Sequence, residues 1–247
     1  METHIIKYGG SFVISGEKYN KEALDELVKL AEENKEKQFV FIIGGGKLCR
    51  NINAKATPYL ESALGDKKDE QLNIALDELG IAVTKINARY VRAYLEEKLT
   101  DERVYEDIID YPKLAVKTNK QVIIAAGYKP GVSTDYDMML LARAYSATTA
   151  IKISDFPIVL NVKPFEFDKT KISEYKPLPE MTWEQILDLV GREFIAGGNY
   201  PLDPPSAILG NEIVKEKPEF ALYIGQKEQL NKMLKGEEFH GTIIQNK

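Results

Sequence analysis

Phe39-Val-Phe-Ile-Ile-Gly-Gly-Gly-Lys-Leu-Cys-Arg50 is the stretch from which the fold of this chain can be read. Apolar, mostly β-favouring residues from Phe39 to Ile43 run into three consecutive glycines and then a basic, helix-compatible segment. The order is that of a buried strand, a bare-backbone turn and a helix N-terminus. Without a Cβ, Gly44, Gly45 and Gly46 can adopt positive φ and let a bulky anion reach main-chain N–H groups, with a helix dipole behind them. The ligand this favours is a phosphate. Lys47 and Arg50 would add a mobile point charge and a two-pronged fork for its oxygens. A plain βα turn with two solvated cations carries the same letters, so company is needed elsewhere in the chain.

That company comes from two more units. His4-Ile-Ile-Lys-Tyr-Gly-Gly-Ser-Phe-Val-Ile14 again places a strand before a Gly9-Gly10 turn and Ser11, a second phosphate-cradling loop. Lys7, at the end of that strand, is the candidate for reaching a transferring phosphoryl group; a solvated edge lysine is the plainer alternative. His4 is read as a strand-surface residue. Asn20 to Lys37 places Ala23, Leu24, Leu27, Val28, Leu30 and Ala31 on one helical face, with Asn20 as cap, so a helix joins the first two strands and makes them parallel. The third unit is the strand Gln121 to Ala126, then Gly127-Tyr-Lys-Pro-Gly-Val-Ser-Thr-Asp135, then an apolar helix from Met138 to Tyr145. There Gly131 frees the backbone, Ser133 and Thr134 offer hydroxyls, and Asp135 stands at a helix start, where a carboxylate is stabilised and can orient lysines or a metal ion. Loops of this kind gather at the carboxyl ends of the strands of an open parallel sheet.

The rest of the chain is expected to fill out the same pattern. A helix continues past Arg50 to about Ala56 and ends at Pro58, and Gly65 to Glu70 forms a charged turn. Leu72 to Leu99 is a long helix that carries Asp77, by itself an ordinary solvated acid. Ala150 to Ile153 is a fourth strand, followed by Ser154 to Leu160 and a polar, proline-dotted region. A helix over Met181 to Val190 capped by Thr182, a turn over Ala196 to Pro205, strands at Phe220 to Ile224 and Gly241 to Ile244, and a helix over Lys227 to Lys235 complete it. With 33 Lys and Arg against 38 Asp and Glu, the net charge of −5 argues against a nucleic-acid footprint, so any anion site is local. The single Cys49 is read as a packing residue. No signal-peptide pattern, membrane span, internal repeat or metal-ligand cluster is seen, and a cytoplasmic protein is expected.

Taken in order, these motifs resemble the amino acid kinase family and, within it, the uridylate (UMP) kinases of archaeal type. The matching residues are Lys7 with Gly9-Gly10-Ser11, Gly44-Gly45-Gly46-Lys47 with Arg50, and Asp77-Glu-Leu-Gly80-Ile81 with Thr84 and Asn87. They continue with Gly127 to Asp135, Ala196-Gly-Gly-Asn-Tyr-Pro-Leu-Asp203-Pro204, and Leu234-Lys-Gly236 near the terminal Gly241-Thr-Ile-Ile. The resemblance implies an α/β fold: one three-layer α/β/α sandwich with a mostly parallel central sheet. Residues 1–147 would form the phosphoryl-acceptor half and 148–247 the ATP half, commonly in a hexamer or a dimer. It implies the reaction UMP + ATP → UDP + ADP with Mg²⁺, a step of pyrimidine biosynthesis, with no nucleic-acid or membrane partner and no metal ligand of the protein's own. Gly44, Gly45, Gly46 and Arg50 would hold the acceptor phosphate, Asp77 the ribose, and Gly127, Pro130, Gly131, Ser133 and Thr134 the uracil and phosphate. Lys7, Asp135 and Arg50 would act on the transferring group. Gly9, Gly10, Ser11 and Lys47 would meet the donor, together with Ser154, Asp155, Leu160 and Lys163.

One stretch departs from the family pattern. The family's fourth strand runs into Thr-Asn-Val-Asp-Gly-Val-Tyr and then Asp-Pro, which bind ATP, whereas this chain has Ser154-Asp-Phe-Pro-Ile-Val-Leu160 or, with a gap, Asn161-Val-Lys-Pro-Phe165. Pro157 lacks an N–H and Ile158 resists positive φ, so a weaker backbone cradle is expected there. A non-catalytic nucleotide- or oxyanion-binding protein, like the molybdenum and tungsten storage proteins of this fold, is therefore an alternative. So is a kinase for another small phosphate or carboxylate. Isopentenyl phosphate is disfavoured, because that subfamily's glycine-loop histidine is missing.

Overall fold

The structure, a computed structural model, describes residues 1–15, 18–65, 68–194 and 200–246. In chain order these form β1 (Glu2–Tyr8), α1 (Gly10–Val13), β2 (Ile14–Ser15), β3 (Lys18–Tyr19), α2 (Lys21–Glu33), β4 (Lys37–Ile43), α3 (Gly46–Leu64) and α4 (Lys68–Leu99). Then follow β5 (Val104–Ile109), β6 (Val122–Ala125), α5 (Thr134–Ala144), β7 (Thr149–Ile153), β8 (Glu180–Met181), α6 (Trp183–Val190), α7 (Pro204–Glu216), β9 (Ala221–Gly225), α8 (Leu230–Lys235) and β10 (Gly241–Ile244). Eight strands make one sheet in the order β5-β6-β4-β1-β7-β9-β10-β8, and β2 and β3 pair as a separate small hairpin. Of the pairings in the large sheet, β10 with β9 is antiparallel and the others are parallel.

The sequence explains why β4 is central: Phe39 to Ile43 are fully buried, as a parallel strand covered on both faces must be. Successive side chains feed opposite cores. Ile5, Val40 and Ile42 face a layer that includes Met138, Trp183, Ile186 and Ile213 from α5, α6 and α7. Ile6, Phe39, Phe41 and Ile43 face Leu24, Leu27, Val91, Leu95 and Met233 from α2, α4 and α8. The result is the expected three-layer α/β/α arrangement. Helix starts carry the expected caps: Asn20 accepts from the Ala23 amide at 3.3 Å, and Thr182 forms a reciprocal capping box with Gln185. No helix among the described residues is long and apolar enough to cross a membrane.

Three local expectations are corrected. Helix α3 does not end at Pro58 but runs through it to Leu64, lying along α4 with Asn53 Nδ2 donating to the Leu76 carbonyl at 3.2 Å. Lys68 to Glu70, expected in the following turn, already belong to α4, and Asp66 and Lys67 lie outside the described residues. His4 is not on the surface: it is 6% exposed, beside Phe39 and 3.3 Å from Lys37 Nζ, because β1 is flanked by β4 and β7. Burial and the Lys37 charge lower its pKa. Strand β5 went unread because Glu106-Asp107 interrupts the alternation where its register against β6 shifts between Val104 and Ile108.

Candidate active site

Four adjacent parallel strands, β6, β4, β1 and β7, end side by side, with Tyr8 of β1 opposite Ile43 of β4. Their loops therefore meet over one edge of the sheet. In the β1–β7 pair Lys7 stands opposite Lys152, and the N-terminus of α5 brings Asp135 between them. Lys7 Nζ donates to Asp135 Oδ1 at 2.5 Å and Lys152 Nζ to Oδ2 at 2.6 Å; Lys152 also donates to the Pro201 carbonyl at 2.6 Å. Asp135 and Lys152 are 4% and 7% exposed. Burial pushes the Asp135 carboxyl up, but Lys152 and Lys7 outweigh it and bring it down to about 2. Burial also lowers the Lys152 pKa, against the pull of Asp135. Two ammonium groups on one carboxylate leave an excess positive charge where the loops converge.

The glycine loops interlock at backbone distance. A Cβ on Gly10 would lie 2.3 Å from the Gly46 amide nitrogen and 2.5 Å from the Gly44 carbonyl oxygen, and Gly46 itself has φ +61°. No other residue type fits such an approach. Asn87, buried on α4, donates to the Gly44 and Gly45 carbonyls at 2.9 and 3.2 Å and so fixes the loop from below. The N-termini of α3 and α5 thus open onto one cavity of about 290 Å³. Its wall includes Lys7, Gly10, Ser11, Arg50, Lys152 and Asp155. Ser11 Oγ donates to Asp155 Oδ2 at 3.4 Å, linking the first glycine loop to the β7 loop.

A second cavity, of about 200 Å³, shares Gly45 and Thr134 with the first, so the two are joined at the α5 N-terminus. Asp77 of α4 lies in its wall and accepts from the Gly131 amide at 2.7 Å, while Thr84 Oγ1 accepts from the Gly127 amide at 2.8 Å. Ser133 caps α5 by accepting from the Asp135 amide at 3.0 Å and donates its hydroxyl to Asp203, the cap of α7. Asp203 also accepts from the Ser206 amide at 2.7 Å. Burial and the Asp135 charge raise the Asp203 pKa. One hydroxyl therefore couples the starts of two helices.

The sequence candidates are mostly brought together. Lys7, Gly9, Gly10, Ser11, Gly44, Gly45, Gly46, Arg50, Thr134, Ser154 and Asp155 line the first cavity. Asp77, Gly127 and Ser133 line the second, and Asp135 ties the lysines between them. Gly131 takes part through its amide, while Pro130 lines neither cavity. Lys47 and Lys163 are exposed and line neither. Leu160 instead faces a narrow apolar slot with Phe156, Ile158, Phe167 and Pro201. Ala196 to Asn199 lie outside the described residues. Lys152 and Asp137 went unnoticed; Lys152 is a charged letter inside an apolar run, the signal of a buried functional group, whereas Asp137 stands among polar letters at the head of Met138 to Leu141 and carries no such signal.

The sequence profile of the amino acid kinase family matches residues 2–211. This chain belongs to the amino acid kinase family. Among similar amino acid kinases, the uridylate kinase of Methanococcus aeolicus is 23% identical over 91% of this chain and 89% of its own length. That of Methanocorpusculum labreanum is 26% identical, covering 98% of this chain and 95% of its own. The crystal structure of uridylate kinase from Archaeoglobus fulgidus superposes with a TM-score of 0.73 at 22% identity, covering 99% of this chain and all of that one. The amino acid kinase fold is thereby matched from end to end.

Proposed function

We propose that this chain transfers the γ-phosphoryl of ATP to UMP, giving UDP and ADP. The observation that carries the proposal is the Lys7–Asp135–Lys152 arrangement, whose lysines line the first of two joined cavities. The similar proteins named uridylate kinase support the choice of acceptor. UMP would occupy the second cavity, with Asp77 on its ribose and its phosphate reaching Gly44, Gly45 and Arg50. ATP would enter the first cavity past Ser154 and Asp155, with Gly10 and Ser11 at its phosphates.

In the reaction an oxygen of the UMP phosphate attacks the γ-phosphorus, a new P–O bond forms, and the bond to the β-phosphate bridging oxygen breaks. Such a transition state asks the protein to align two anions and neutralise their charge. Lys7 and Lys152 supply the charge, already aimed by Asp135, so little reorganisation is needed as the phosphoryl passes. The bare N–H groups of the two glycine loops and the α3 and α5 dipoles act in the same direction. Among the described residues no group of three or more His, Cys, Asp or Glu could hold a metal. Ser11 and Asp155, in the wall of the first cavity, are the oxygen-bearing side chains that would hold Mg²⁺ at the donor end. When bound it would offset the negative charge of the phosphates during transfer.

The division into an acceptor half before residue 148 and a donor half after it accords with this placement. Tyr59, Ile74, Ile86 and Tyr90, exposed along α3 and α4, support a homo-oligomer. The test is an acceptor panel of UMP, CMP, AMP and inorganic phosphate at fixed Mg-ATP, with thermal melts in parallel. UDP formation with UMP preferred is the expected outcome. Turnover of another acceptor with UMP inert would overturn the assignment.

A further inference from the structure

Two residues past Asp135, Asp137 is 1% exposed, and neither of its carboxyl oxygens makes a well-directed hydrogen bond among the described residues, the Tyr128 amide being the donor that faces it. It stands in the wall of the second cavity, with Asp77, Tyr128, Lys129, Ser133 and Thr134 around the same space. A second orphan acceptor, Asn53 Oδ1, is buried in that wall too. Buried polar groups are rarely left unpaired, because each costs free energy. Two residues with orphan oxygens around one cavity therefore mark a place where the donors of a ligand belong.

The charged and polar groups facing Asp137 come from several elements: Asp203 at the start of α7, Asp135 on its own helix, Lys7 on β1 and the Tyr128 amide in the preceding loop. Burial, with the repulsion of Asp203 and Asp135, pushes its carboxyl up to about 8 against the pull of the Tyr128 amide and Lys7. At neutral pH the group is mainly the uncharged acid, which can donate one hydrogen bond and accept another.

We propose that Asp137 is a specificity-determining residue of the acceptor site, its carboxyl pairing with the N3–H and O4 edge of the uracil ring. The inference rests on UMP being the acceptor. The carbonyl oxygen of Asp137 accepts from N3–H while its hydroxyl donates to O4, giving two parallel hydrogen bonds. A ring without N3–H leaves the carbonyl oxygen unpaired, and loss of the Asp137 proton sets a negative charge against O4. Asn53 Oδ1 is then free to accept from a ribose hydroxyl at the Asp77 end.

The test compares UMP with 3-methyluridine monophosphate, binding by calorimetry and turnover in Mg-ATP, for the wild type, Asp137→Asn and Asp137→Val. The wild type is expected to prefer UMP by at least about tenfold, since a site built to pair a polar edge rejects analogues that lack it. Its KM for UMP should rise roughly sixfold between about pH 7 and about pH 8.8, as one group ionising near 8 requires. Asp137→Asn, whose amide still donates and accepts, keeps the preference and flattens the pH profile; Asp137→Val brings the preference close to one. If the valine variant fails to fold, the profile of the asparagine variant decides. An N3-methyl penalty and pH profile that neither substitution changes overturn the inference and leave the kinase assignment standing. A wild type that neither binds nor phosphorylates UMP overturns both.

Discussion

Replacing Lys152 by Met removes an ammonium group from the interior while keeping an unbranched side chain of similar length. Its Nζ lies 2.6 Å from Asp135 Oδ2 and 2.6 Å from the Pro201 carbonyl, so both acceptors lose their donor at once. Breaking a buried ion pair from one side costs ~3–5 kcal/mol; Lys7 still holds Asp135 Oδ1, which places the expected loss at the lower end. For a chain of this length ~3 kcal/mol corresponds to a melting temperature lower by about 6–12 °C. Turnover should fall further, because one preorganised group facing developing charge is worth ~10²–10³ in kcat. The assay is UDP formation at saturating UMP and Mg-ATP beside a thermal melt of the same preparation. Adding Asp135→Asn would leave Lys7 without its carboxylate, so the double variant should regain neither the lost stability nor the lost turnover. A Lys152→Met protein with kcat within threefold of the wild type would refute the role given to this lysine.

Gly10→Ala should abolish nucleotide binding and cost about 1–3 kcal/mol of stability, because its Cβ would meet the backbone of Gly46 and Gly44 at 2.3 and 2.5 Å; a melt with and without UMP and ATP checks it. Asp77→Asn should raise the KM for UMP by about tenfold with a smaller effect on kcat, since it weakens an acceptor contact outside the reacting atoms; steady-state kinetics read the split. The Asp137 carboxyl ionises near 3.8 when exposed and at about 8 in the fold, so its drag on stability is absent below 3.8 and grows as pH rises toward 8. At ~1.4 kcal/mol per unit, the four-unit gap makes ~6 kcal/mol an upper bound, and Asp137→Asn should melt higher than the wild type at pH 8 but not at pH 3.5.

The run from Phe39 to Arg50 and its two companions were enough to place β4, β1, β6 and the loops that end them, because bare glycines after buried strands have a local cause visible in the letters. Asn20 and Thr182 were legible as caps for the same reason. What escaped depended on tertiary neighbours. Pro58 stays helical because α3 has α4 to lie against, and β5 hides behind a shifted register. Lys152 became meaningful only when sheet pairing set it opposite Lys7, and Asp137 only when burial removed its partners. The altered Ser154 to Leu160 loop was expected to weaken the donor cradle, and none of its residues takes the positive φ that a glycine there would allow. Instead Phe156, Ile158 and Leu160 line an apolar slot with Phe167, and Phe156 also joins the wall of the first cavity.

The most direct test of phosphoryl transfer to UMP is a ³¹P NMR time course of the purified protein with UMP and Mg-ATP. Paired growth of the UDP and ADP resonances at the expense of UMP and ATP, absent without enzyme and greatly slowed in Lys152→Met, is the predicted result. An unchanged UMP resonance after full incubation, with the protein folded by its melting curve, would contradict it.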